Sequence, residues 1–252
     1  MLPRISHCSE KLGNRIFIFG GERNDELVDD MECLNLENLT VQSHIAKLST
    51  KRSLFASAKV NDTIYAIGGN NSKEMKLKSV EKYCAEYNCW YEGPPLPHKE
   101  RAISATTSDG VIYVSGTIHH NTLKRYDPRT KNWSNLRHSN LLTFQPAIVT
   151  TPTDIYLIGG YDGHKSVKSN IIYDIRKNEY RTSAPFTREV TMANAVYRHG
   201  KIYLLGGLNK QVKKNIMKSS RNVCVYDIKE DIWNDTELQL PFELIGCSMS
   251  GL

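Results

Sequence analysis

One fixed spacing governs what this 252-residue chain can become. Short apolar stretches at residues 16–19, 64–67, 112–115, 202–205 and at the opening of 154–180 run into Gly20, Gly68, Gly116, Gly206 and Gly159. The steps between these glycines are 48, 48, 43 and 47 residues. A second glycine follows in four copies, as Gly21, Gly69, Gly160 and Gly207; the third copy has Thr117 instead. A period of this size marks a repeat architecture, in which one unit cannot bury its own apolar face and needs neighbours stacked on it.

The second half of each unit keeps the same register. Tyr83 and Trp90, Tyr126 and Trp133, Tyr173 and Tyr180, and Tyr226 and Trp233 lie seven residues apart, and Leu34 and Val41 hold these places in the first copy. Turn-forming residues separate the pair members, as in Asp127-Pro128 after Tyr126, so each pair reads as the two arms of a β-hairpin. The glycines close the preceding strand because they tolerate positive φ and let other backbone approach. Four short strands per unit make a small twisted sheet. Packing such sheets radially, with the large aromatics filling the wedge between neighbours, buries both faces.

The double glycine followed by Tyr and then Trp, in five ordered copies over nearly the whole chain, resembles the Kelch repeat. The resemblance implies an all-β fold: a propeller of five four-stranded blades forming a single domain over 1–252. The repeats run at about 5–50, 52–97, 101–140, 143–186 and 190–241. Residues 242–252 read as the start of a sixth repeat, an extra C-terminal strand. Either that strand joins residues 5–12 to close a five-bladed ring, or the chain is a truncated piece of a six-bladed one; the five-bladed reading is preferred. Without aromatics at Leu34 and Val41, the first blade is expected to be the least tightly packed.

Composition narrows the function classes. No apolar run approaches the roughly 20 residues that span a bilayer, and the N-terminus lacks an apolar signal core. The expected location is therefore cytoplasmic, without a membrane partner. Six cysteines (Cys8, Cys33, Cys84, Cys89, Cys224 and Cys247) contain no CxxC pair and are expected to be reduced thiols, not zinc ligands. Eight histidines, among them His119-His120 and His164, are scattered across the repeats without metal-ligand spacing. No nucleophile elbow, phosphate loop or dinucleotide fingerprint is present. No catalytic residue, metal or cofactor is expected, although propeller enzymes exist. Much of the formal charge of +6 sits at Lys210, Lys213, Lys214, Lys218 and Arg221. This stretch lacks the interleaved aromatics of a nucleic-acid site and reads as a solvated loop, or as a contact for an acidic partner.

Binding is the stronger class, because loops on a rigid scaffold commonly carry recognition. The resemblance implies that protein or peptide ligands meet the loops after the glycine pair and those linking one blade's outer strand to the next inner strand. In this chain that selects Asn70, Tyr161 and His164, with Arg52 and Arg101 standing where the family often places an arginine. Each arginine either bonds backbone carbonyls between blades or forks a carboxylate on an incoming peptide. The chain is most similar to the C-terminal part of BTB–Kelch proteins, substrate adaptors of cullin-RING ubiquitin ligases, here expected to lack the BTB region. Its Asn-, Lys- and Ile-rich texture also resembles Kelch proteins of large cytoplasmic DNA viruses. Alternatives are an actin-binding Kelch protein and, less favoured, a propeller enzyme.

Overall fold

The computed structural model describes residues 4–42, 45–115, 122–211, 216–241 and 243, among which every regular element is a strand. Five four-stranded sheets follow one another along the chain, and they are the blades of a β-propeller. Their strands are Cys8–Leu12, Arg15–Phe19, Met31–Asn35 and Val41–Gln42; then Ala56–Val60, Thr63–Ile67, Val80–Cys84 and Cys89–Gly93; then Ser104–Ser108, Val111–Ser115, Thr122–Asp127 and Asn132–His138. Ala147–Thr150, Asp154–Ile158, Asn170–Asp174 and Glu179–Thr182 make the fourth, and Asn194–Arg198, Lys201–Leu205, Asn222–Asp227 and Ile232–Gln239 the fifth. Each strand lies beside the one before it in its blade. Gly116, His119, His120, Lys213, Lys214 and the sixth-repeat strand fall outside the described residues, apart from Glu243 in the last.

Two small hairpins are additions that the repeat pattern does not predict. Glu22–Arg23 pairs with Glu26–Leu27, and Leu208–Gln211 with Ile216–Ser219. The basic stretch of the fifth repeat, expected as a loop, thus has a β-hairpin stem. Asn24 and Asp25, at φ of 50° and 61°, form the two-residue turn that suits the twist of the first hairpin.

The chain divides into two compact units. One holds residues up to Val114 together with Arg125–Ser134; the other holds the fourth and fifth blades with the remainder of the third. In the first unit the inner strands Cys8–Leu12 and Ser104–Ser108 both flank Ala56–Val60. In the second, Ala147–Thr150 flanks Asn194–Arg198. Apolar clusters fill the seams: Phe17, Phe19, Met31 and Leu48 meet Phe55, Ile64, Tyr83 and Trp90, while Tyr156, Ile172 and Phe186 meet Val190, Ile202 and Tyr226.

The repeated Tyr and Trp pack toward the preceding blade. Tyr83 lies 5.5 Å from Phe17 and Trp90 5.3 Å from Phe19, ring to ring, and Tyr226 lies 6.0 Å from Tyr156. A third member, five residues after the tyrosine, completes the seam. The Tyr83 hydroxyl donates to Asn88 Oδ1 (3.0 Å), which also accepts from the Ala46 N–H (3.1 Å), and Trp90 Nε1 donates to the Ala46 carbonyl (3.0 Å). Tyr226, Asp231, Trp233 and Ala184 repeat this arrangement. Asn178 takes the Tyr173 hydroxyl and the Arg137 N–H. In the third blade the equivalent residue is Lys131, which cannot accept, and Trp133 grips Pro94, which has no N–H to offer. The N–H of the preceding blade and its acceptor are thus both absent from this seam.

Packing of the first blade is uneven. Its inner half is as tight as the others, with Cys8, Phe17, Phe19, Met31 and Cys33 buried. Its outer strand is two residues long and Val41 is exposed. The missing aromatics loosen only the rim.

Every blade also holds a non-glycine residue in left-handed backbone two positions before its inner strand: Ser6, Leu54, Ala102, Gln145 and Met192, at φ of 47–56°. They recur at the steps of the glycines. The turn aims peptide groups along the seam, where the Ala102 N–H donates to the Leu54 carbonyl (2.8 Å) and the Met192 N–H to that of Gln145 (3.1 Å). This conformation costs an L-residue about 1–2 kcal/mol, offset here by one blade-to-blade hydrogen bond.

Candidate protein-interaction surface

The loops after the glycine pairs are built on a shared plan. In the second blade Asn71 Oδ1 accepts the N–H groups of Lys73 and Glu74; in the fourth, Asp162 Oδ1 accepts those of His164 and Lys165. These Asx turns fix the loop from its first residues, and their N–H groups help to hold the Asp162 carboxyl below its ordinary value, against burial. The residue after the second glycine pairs with the segment entering its own blade: Glu22 with Ile5, Asn70 with Ser53, Tyr161 with Phe144 and Leu208 with Thr191. Further along, Leu77 pairs with Glu100 and Val167 with Val190, in the link to the following blade. Post-glycine loops and blade-linking loops are therefore laced together at one edge of the sheets in each unit. Lys99–Glu74 (2.7 Å) and Lys165–Glu189 (3.5 Å) tie equivalent places with the signs exchanged.

The second glycine has to be glycine. At φ of 95°, a Cβ on Gly69 would stand 2.6 Å from the Ser53 carbonyl oxygen. Its N–H donates to the Glu100 carbonyl (2.9 Å), as that of Gly21 does to Arg52 (2.8 Å) and that of Gly160 to Val190 (2.8 Å).

This register corrects the arginine alignment. The residue equivalent to Arg52 is Glu100 in the third repeat and Arg4 in the first; Arg101 matches Ser53. The Arg52 guanidinium is fully buried and bonded within its own blade: Nη1 to the carbonyls of Gly68 (2.9 Å) and Ser79 (3.2 Å), Nη2 to Ser79 Oγ (3.2 Å) and Glu81 Oε1 (2.6 Å). Burial pushes its pKa down, and Glu81 opposes that. The blade-to-blade bond expected of its guanidinium runs through its carbonyl instead, and the fork for a partner's carboxylate is taken up inside the blade. Arg4 repeats the clasp with Gly20, Asp30 and Glu32. In the third blade the two places hold Glu100 and Lys124, both fully buried, with the charges exchanged.

Arg101 is half-buried in the link to the third blade. Asn70 is half-buried, and its Oδ1 accepts from Ser53 Oγ (3.2 Å). Tyr161 and His164 share the loop of the fourth blade. The Tyr161 hydroxyl donates to the Gly163 carbonyl (2.9 Å), Lys210 Nζ lies 5.1 Å over its ring, and His164 is exposed. Lys210 comes from the hairpin of the fifth blade, so the structure brings Tyr161, His164 and that basic hairpin together and leaves Arg52 out. Beside the hairpin lies a cavity of about 490 Å³, lined by Arg188, Lys218, Arg221, Asn222, Gln239 and Glu243 among others. Sequence reading missed Lys210 as the partner of Tyr161, because the two lie 49 positions apart in the chain. Among the described residues there is no group of three or more His, Cys, Asp or Glu placed to hold a metal ion, and no helix long and apolar enough to cross a membrane.

The Kelch motif matches residues 51–97 and 143–187. Kelch-like protein 36 of Mus musculus is 26% identical over 97% of this chain and 42% of its own length. Kelch repeat and BTB domain-containing protein 2 of Cowpox virus is 26% identical over 70% of this chain and 35% of its own length. Kelch repeat protein C2 of Vaccinia virus is 27% identical over 79% and 38% respectively. The chain thus spans less than half the length of these relatives. The solved structure of YjhT superposes with a TM-score of 0.81 over 98% of this chain and 87% of its own, at 15% identity. Glycine register, seam aromatics and these matches agree: the chain is a five-bladed β-propeller that carries Kelch motifs and is similar to Kelch-like and poxviral Kelch proteins.

Proposed function

We propose that this chain is a non-enzymatic recognition module that captures a protein or peptide partner on its post-glycine loops. The observation that carries this reading is the lacing of the two loop classes within the second unit, where Tyr161 meets Lys210 and the same basic hairpin borders a cavity. The partner is acidic. Lys168, Lys218 and Arg221 are exposed around this surface, and an opposite charge arriving there would meet a rigidly held base. By similarity to BTB–Kelch relatives, the role is that of a substrate-recognition part for a cullin-RING ubiquitin ligase in the cytoplasm, with the ligase contact supplied by a BTB region.

The test is a quantitative pull-down with the wild-type chain, a Tyr161→Ala/His164→Ala/Lys218→Ala/Arg221→Ala variant, and an Arg176→Ala/Lys177→Ala control in the turn before the outer strand of the fourth blade. Loss of the same partners from the first variant alone, with retention that weakens as salt rises, supports the reading. Equal retention by all three folded proteins removes the site from this surface. Co-purification of a cullin is scored separately, with the chain expressed alone and fused to a BTB region.

A further inference from the structure

The five described cysteines differ sharply in access. Cys8, Cys33 and Cys224 are buried, whereas Cys84 and Cys89 are both half-buried. The two accessible thiols are direct cross-strand partners, facing one another in the antiparallel pairing of Cys89–Gly93 with Val80–Cys84. Side chains of such partners project from the same face of the sheet. Their Cα atoms stand about 4.5 or 5.5 Å apart, depending on which kind of pair they form, and both distances lie within the roughly 4.4–6.8 Å that a disulfide spans.

We propose that Cys84 and Cys89 are a redox modification site that closes reversibly into a cross-strand disulfide, with a low-molecular-weight disulfide such as oxidised glutathione as the oxidant. One thiolate attacks the glutathione disulfide, breaking its S–S bond, forming a mixed disulfide and releasing one glutathione thiolate. The second protein thiolate then attacks the mixed disulfide at the protein sulfur, forming the Cys84–Cys89 bond and releasing the second glutathione. The two cysteines lose two electrons and two protons, and both end on two molecules of reduced glutathione. The hairpin so closed carries Tyr83, Asn88 and Trp90, the residues that grip Ala46 of the preceding blade. Oxidation fixes the two arms of that grip to each other.

The experiment exposes the intact folded chain and its Cys84→Ser and Cys89→Ser variants to oxidised glutathione, quenches with acid and measures intact mass. Glutamyl protease then cuts after Glu86, between the two cysteines. The wild type is expected to lose two hydrogens in mass and to yield halves that stay joined after cleavage until reduced. Each single variant is expected to keep a stable glutathione adduct on whichever of Cys84 and Cys89 remains, because it lacks the resolving thiol. Persistent glutathione adducts on Cys84 or Cys89 of the wild type, a wild type left unmodified at both, or a disulfide joining either of them to another cysteine would each overturn the proposal.

Discussion

Arg52→Ala separates a structural arginine from a recognition arginine. The side chain is fully buried and makes four hydrogen bonds, one of them charge-paired to Glu81 at 2.6 Å. The same carboxylate accepts the N–H groups of Ser49 (2.6 Å) and Thr50 (3.1 Å), so it also anchors the link that enters the second blade. Removing one partner of a buried ion pair costs about 3–5 kcal/mol, because the other charge stays buried and unpaired. The three bonds to uncharged acceptors, at about 1 kcal/mol each, account for a loss of similar size on their own. Against a total stability of about 5–15 kcal/mol, this is a large fraction. Urea unfolding followed by tryptophan fluorescence measures it, since Trp90 lies in the adjoining seam. Arg52→Lys should fall between wild type and Arg52→Ala, as an ammonium keeps the charge without the planar fork. An Arg52→Ala protein that unfolds within about 1 kcal/mol of wild type would refute this account and return Arg52 to the binding surface.

Three other perturbations probe the seams. Ala102→Gly, at φ of 56°, should raise stability by about 1 kcal/mol by relieving left-handed strain, read as an upward shift of the thermal midpoint; a downward shift would show that the turn is unstrained. In a double-mutant cycle of Pro94→Ala and Lys131→Asn, the double variant regains the donor and acceptor present in neighbouring seams. Its coupling should be favourable by about 0.5–1.5 kcal/mol, and zero coupling would mean that the paired absence is incidental. Burial and the nearby Arg4 lower the His7 pKa from 6.5 to about 4, with Glu32 opposing. The unfolded chain then binds a proton that the folded chain refuses, so stability is full above pH 6.5 and falls by up to about 3 kcal/mol as pH drops toward 4. His7→Gln should flatten that part of the pH–stability curve, and an unchanged slope would assign it to other groups.

Much of the fold was legible because it depends on local chemistry that repeats. Glycines at positive φ, short apolar strands and paired aromatics each leave a residue-type mark at a fixed offset. Arg101 shows where that legibility ended: similarity of residue type suggested equivalence with Arg52, while the hydrogen bond from Gly69 places Glu100 there. The role of Asn88, Asn178 and Asp231 stood at a constant distance after each tyrosine and was still passed over, because Lys131 breaks the pattern and its reason, Pro94, belongs to another repeat.

The amino-acid sequence alone determined the register of the five repeats, their order and the identity of the recurring aromatics, since each follows from periodicity within one repeat. Tertiary structure alone decided which charges are spent inside blades and which stay exposed. Burying a guanidinium or matching a missing N–H to a missing acceptor depends on what a neighbouring repeat brings into contact, and a linear period carries no record of that.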